Sequence, residues 1–164
     1  MGCGASAQAG SGASGSATST EPAEVTAARE ALARGDQGMS LQPALMAACA
    51  AGDVALAMQC LEAGAPPDAQ NEQGVSPILH AIQRAPAPDH VVDALINAGA
   101  LVFKPDNEGT TPLHAAAARG LEATVATLVG TMEVTLGAKD AQGRTAADLA
   151  RAGGHESCLT HLGG

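Results

Sequence analysis

The chain has 164 residues, with 17 acidic side chains against 8 basic ones, a formal net charge of −9 and a single aromatic residue, Phe103. That balance argues against a nucleic-acid surface, which needs a basic patch and a row of stacking aromatics. No apolar run reaches the roughly 18 residues of a membrane-spanning helix, and the length suits one domain with a core of Leu, Val, Ile and Ala.

At the amino terminus, Met1-Gly2-Cys3-Gly4-Ala5-Ser6 fits the pattern M-G-x-x-x-[ST] for N-myristoylation of Gly2. Only glycine leaves an unhindered α-amine after removal of Met, and Cys3 beside it is placed for a second, S-linked chain. One myristoyl chain binds membranes only marginally, and a second hold is needed. Residues 1–20 contain no Lys or Arg, so Cys3 is expected to supply it. Residues 7–20, AQAGSGASGSATST, carry neither charge nor large apolar side chains, so residues 1–20 read as a disordered, acylated tether at the cytoplasmic face of a membrane. Without acylation the chain is expected to be cytoplasmic. Cys3, Cys49, Cys60 and Cys158 show no close paired spacing, which fits a reducing compartment.

Glu21-Pro22-Ala23-Glu24 opens a helix to about Arg34. Acids lie in its first turn, and Arg29 and Arg34 lie near its end, in line with the helix dipole. Val25, Ala28 and Leu32 share a face, so residues 21–36 are expected to cap the unit that follows.

From residue 40 onward one pattern recurs. Helices are expected at Pro43–Ala51 and Val54–Ala63, at Ser76–Arg84 and Asp89–Asn97, and at Pro112–Arg119 and Leu121–Val129. A last pair begins at Thr145 and ends in Ser157–Leu162. Its clearest copy is Asp106–Gly120, DNEGTTPLHAAAARG. There a polar turn is followed by Thr111 as N-cap and Pro112 at the first helical position, and Gly120 is the stop. Aligned on Thr111, the equivalent residues are Pro43, Ser76 and Thr145, spaced by 33, 35 and 34 residues. The loop Ala85-Pro86-Ala87-Pro88 is longer than the period requires, and Met132-Glu133 interrupts the third copy after its second helix.

A turn followed by two helices at this period resembles the ankyrin repeat, which opens T-P-L-H-x-A. Thr111-Pro112-Leu113-His114-Ala115-Ala116 matches every fixed place. Ser76-Pro77-Ile78 and Ala81 match in part, with Leu79 at the histidine place. Thr145-Ala146-Ala147-Asp148 resembles a terminal variant, and Gly154-His155 resembles the family's Gly-His between helices. Pro43, Ala44 and Met46 make the first copy degenerate. The resemblance implies an all-α solenoid over 40–162, with repeats at about 40–70, 71–105, 106–139 and 140–162. It also implies structural roles for Ser76, Pro77, Thr111, Pro112, Leu113, His114, Gly120, Thr145 and His155.

The same resemblance implies a non-enzymatic protein-binding scaffold with no cofactor and no small-molecule substrate. Partners of such arrays meet the turn tips and first helices. Mapped by position, these are Glu72, Gln73 and Val75, then Asn107, Glu108 and Thr110, then Ala141, Gln142 and Arg144. Arg84 and Arg119 close the first helices on that side. All are expected at places that packing does not fix, with Arg84, Arg119 and Arg144 as anchors. Two other classes are weighed against this one. A soluble inhibitor or regulatory subunit, like the ankyrin-type inhibitors of cyclin-dependent kinases, would need no membrane address. A metal-dependent enzyme would need ligands, yet His80, His90, His114, His155 and His161 show no ligand spacing on one helix face.

Overall fold

The computed structural model describes residues 25, 26, 29, 30, 41–131 and 134–163. Val25, Thr26, Arg29 and Glu30 are helical. After them come α1 (Leu41–Ala51), α2 (Val54–Glu62), α3 (Pro77–Arg84), α4 (Asp89–Asn97), α5 (Pro112–Arg119), α6 (Glu122–Gly130), α7 (Ala146–Gly153) and α8 (Glu156–Leu162). No strand occurs among the described residues. The readings over 1–20 and at Met132-Glu133 lie outside them, as does most of the amino-terminal cap.

Local chemistry sets the helix ends. The hydroxyls of Ser76, Thr111 and Thr145 accept from the backbone N–H of Leu79, His114 and Asp148, satisfying donors that the first turn leaves orphaned. Asp53 does the same for α2 through Leu56, at 3.0 Å. Pro77 and Pro112 occupy the first helical position, where a missing N–H costs nothing. Gly120 and Gly154 end α5 and α7 at φ of 69° and 73°. Helix α3 has no such glycine and runs into Ala85 with extended backbone. One boundary differs from expectation by more than a single residue. Helix α1 begins at Leu41, two residues before Pro43. Pro43 is then its third residue, still within the turn whose N–H groups have no intrahelical partner.

The odd-numbered helices stack on one another in one layer and the even-numbered helices in a second, and each odd helix also packs on the even helix that follows it. Ala48, Ala81, Ala116 and Ala150 stand at the same place in the four units, and each has zero exposure. A methyl group is all that fits where neighbouring first helices meet, so the alanine-rich composition is a packing requirement. Leu45, Ile78, Leu79, Ile82 and Leu113 on the odd helices, with Leu56, Leu95 and Leu128 on the even ones, fill the space between the layers. Val25 joins the same core, and Arg29 pairs with the Asp53 carboxylate that caps α2.

Cys49, Cys60 and Cys158 are free and buried. Burial, with Cys60 beside it, pushes the Cys49 thiol up to about 12. Burial also raises Cys60 and Cys158, with Asp53 and Glu122 adding to the effect. These thiols stay protonated and act as small core residues.

Candidate functional site

Three turns project from the first-helix layer, and all have one construction. The Oδ1 atoms of Asn71, Asp106 and Asp140 each accept from two backbone N–H groups. The pairs are Gln73 and Val75, Glu108 and Thr110, and Gln142 and Arg144, all at 2.8–3.0 Å. A short polar side chain that bonds its own backbone two residues on is what such turns favour. Gly74, Gly109 and Gly143 complete the turns at φ of 76°, 74° and 76°.

The turns are also joined to one another. Asn107 donates its backbone N–H to the Gln73 carbonyl at 3.2 Å and its side-chain amide to the Glu72 carbonyl at 3.1 Å. Ala141 N–H donates to the Glu108 carbonyl at 2.9 Å. The approach is close: a Cβ on Gly74 would stand 2.6 Å from Asn107 Oδ1 and 2.9 Å from its backbone nitrogen.

His114 ties the third unit to the fourth. It is buried, and its Nε2 lies 3.1 Å from the Arg144 carbonyl. A carbonyl only accepts, so Nε2 carries the proton and donates. Nδ1 then accepts from Thr111, whose Oγ1 is 2.8 Å away and whose N–H is 3.3 Å away. Leu79, at the same place in the second unit, makes no such bond. Other donors tie the end of the first unit to the end of the second: Gln70 Nε2 to the Pro105 carbonyl at 2.8 Å and Lys104 Nζ to the Asp68 carbonyl at 3.2 Å. His155 stands at the N-cap position of α8 without a side-chain cap bond and packs against Gly120 and Gly153, where added Cβ atoms would meet its ring at 2.5 and 2.6 Å.

This geometry divides the expected partner-binding residues. Glu72, Gln73, Asn107, Glu108, Ala141, Gln142, Arg84, Arg119 and Arg144 are exposed, and Thr110 is half-buried. Val75 is buried at 8% exposure, with its N–H bonded to Asn71, so packing does fix it. Three others are also less free than expected. Asn107 is committed to the preceding turn. Arg119 donates to the carbonyls of Ile82 and Ala85, which α3 leaves orphaned. Arg144 grips Asp140 through Nε at 2.9 Å and Nη2 at 2.8 Å. The Arg144 backbone N–H, together with that guanidinium, holds the Asp140 carboxyl below its ordinary range. The Thr145 N–H and hydroxyl do the same for Asp148. Arg84 alone of the three expected anchors makes no hydrogen bond or ion pair among the described residues.

The hollow beside Arg84 was not legible from the repeat alignment. A groove of ≈ 770 Å³ lies between α1 and α3 and the turn at Asn71. Glu72, Gln73 and Arg84 reach it from the expected set, while Met46, Ala47 and Ala50 give it an apolar wall. The expected ridge left out the first unit because its opening is degenerate. The signal lies in that degeneracy: Met46 stands where the third unit has His114. The residues Gly2 and Cys3 lie outside the described residues. Among the described residues no group of three or more His, Cys, Asp or Glu side chains is placed to hold a metal. No helix there is long and apolar enough to cross a membrane.

A family model described as ankyrin repeats (3 copies) matches residues 45–140, more than half of the chain. A mouse protein named RelA-associated inhibitor is 40% identical over 73 residues, which is 44% of this chain and 9% of that protein.

Proposed function

This chain belongs to the ankyrin-repeat family, and from that premise we propose that it is a non-enzymatic protein-binding module whose contact surface is centred on the groove between α1 and α3. The observation that carries the reading is the state of the arginines. Arg119 and Arg144 are consumed by the array's own carbonyls and carboxylate, whereas the Arg84 side chain has no such bond among the described residues and lines the groove with Glu72 and an apolar wall. An apolar wall gives affinity through removal of surface from water, and a charge at its edge gives orientation. Glu108, Gln142 and the neighbouring turn tips extend the surface along the array.

The test is affinity capture with the full chain against Arg84→Glu and Ala50→Arg, both at residues of the groove that are not buried. Both variants should keep the helical spectrum and melting temperature and lose proteins that the parent retains. An unchanged retained set from both variants would overturn the placement.

Inhibition of the partner is a second reading, favoured by the name of the mouse relative. Because the match spans 9% of that protein, its activity belongs to it, and only the shared repeat argues for this chain. Adding the chain in stoichiometric amounts to a captured partner, with loss of that partner's activity as the expected result, tests this reading.

Tethering through Gly2 and Cys3 is supported by the pattern Met1-Gly2-Cys3-Gly4-Ala5-Ser6. Gly2→Ala should release the protein from membranes in cells, and Cys3→Ser should weaken attachment while sparing the myristoyl group. A Gly2→Ala protein that stays membrane-bound rules the tether out.

A further inference from the structure

The opposite face of the array carries a second groove, of ≈ 840 Å³, between α2 and α4. Val54, Met58 and Leu61 recur along one side of α2, and Ala94 faces them from α4. Met58 is 48% exposed, an unusual place for a flexible apolar side chain in a chain with few large ones. Thioether side chains of this kind adapt to the shape of whatever covers them. Glu62 and Asp93 stand at the edges of the groove, both exposed and without an ion pair or hydrogen bond among the described residues.

The charge pattern of the whole chain points the same way. Helices α2, α4, α6 and α8 contain no Lys or Arg, yet they carry Glu62, Asp89, Asp93, Glu122 and Glu156. On the other layer α3, α5 and α7 each carry an arginine in the last turn. Among the described residues the even helices therefore carry no Lys or Arg to offset their carboxylates; their basic groups are His90, which lines the groove, and His161, whose Nε2 lies 3.7 Å from Glu122.

We propose that the α2–α4 groove is a docking surface for a basic amphipathic helix of a partner protein. Its apolar stripe would lie over Met58 and Leu61, and its Lys or Arg residues would meet Glu62 and Asp93. A helix laid in a groove between two helices is a recurrent mode of recognition. Each wall has 9 residues, about 13 Å of helix, enough for two to three turns of an occupant. A second copy of this chain would set like charges against each other. Residues 1–20 carry no charge and offer nothing to the two acids.

The probe is a labelled Leu/Lys peptide with leucines at i, i+3, i+4 and i+7, and its Leu/Glu counterpart, titrated with the full chain at physiological salt. Glu62→Lys with Asp93→Lys, and separately Met58→Asp, should weaken the Leu/Lys peptide by about tenfold or more. The charge-reversed groove should acquire the Leu/Glu peptide. Glu122→Lys with Glu156→Lys makes the same change in net charge away from the groove and should alter binding by no more than about twofold. Equal losses in the two double variants would mean attraction to bulk charge alone and would overturn the proposal, as would no loss in either. A dimer in sedimentation that Met58→Asp disperses would assign the groove to a second copy instead.

Discussion

The guanidinium of Arg119 donates to the carbonyl of Ala85 at 3.0 Å, across 34 residues of chain. It is the substitute for a glycine. Helices α5 and α7 turn their last carbonyls over to a left-handed glycine, but α3 enters the proline loop with extended backbone, so its terminal acceptors need a donor from elsewhere. Arg119→Ala should therefore destabilise the array by about 1–2 kcal/mol, the net worth of a charged hydrogen bond with part of its site exposed. Arg84→Ala, at the equivalent place one unit earlier, should stay within about 0.5 kcal/mol of the parent. Urea midpoints of the two proteins give the comparison, and equal midpoints would remove the clamp from the account.

Gly74 and Gly143 have the same φ of 76° but different neighbours. A Cβ at Gly143 would meet nothing within 4 Å, while one at Gly74 would collide with Asn107. Both alanine variants should bear the left-handed backbone cost of about 1–2 kcal/mol. Gly74→Ala should lose about 1–3 kcal/mol more from overpacking against the next turn. Thermal unfolding of the pair separates backbone strain from turn stacking, and identical losses would show that the stacked turns yield without cost.

His114→Leu keeps the volume and removes the donor to the Arg144 carbonyl. The expected loss is about 1–3 kcal/mol, because the buried Thr111 N–H and hydroxyl lose their acceptor, while the Arg144 carbonyl keeps only the Asp140 N–H. The damage should be local. Amide exchange in α7 and α8 should quicken while α3 keeps its protection, since the second unit already carries Leu79 at that place. Uniform quickening would mean that the whole array unfolds as one unit.

Asp140 and Asp148 set the acid side of the stability curve. Their folded carboxyls lie below the ordinary value, so near pH 4 the unfolded chain binds more protons than the folded one. Their contribution is complete above about pH 4, the ordinary carboxyl value, and is lost as pH falls through the lower folded values. Asp140→Asn should preserve the turn, because Asn71 accepts the equivalent pair of N–H groups. It should flatten the acid limb of a melting-temperature profile. An unchanged slope below pH 4 would leave the acid limb to other carboxylates.

The helix pairs were legible because each rests on local signals: a hydroxyl cap, a proline at the first position and a glycine at the end. Thr111 and Gly120 needed no knowledge of their neighbours. Bonds between units were not legible in this way. Arg119 ends a first helix and Arg144 stands in a turn, and only the fold shows that one closes α3 and the other grips Asp140. Val75 was misplaced for the opposite reason. Its position in the turn suggests exposure, but Val75 is an apolar residue packed into the core, while Thr110 and Arg144 at the same place in later turns are half-buried and exposed. The groove beside Met46 was missed because a departure from a repeat reads as loss of pattern, and the hollow it creates appears only when the next unit is stacked upon it.

Lys104 sends its amine to the Asp68 carbonyl and is half-buried. The sequence has one other lysine, Lys139, and it is exposed at the entrance to the last turn. Acetylation, ubiquitin attachment and amine-reactive cross-linking all need a deprotonated, accessible side-chain amine. In the folded array Lys139 offers one directly, whereas Lys104 must first surrender its bond between the first and second units. Side-chain amine chemistry on this protein is thus addressed to one corner of the solenoid, and modification at Lys104 would report that the array has come apart there.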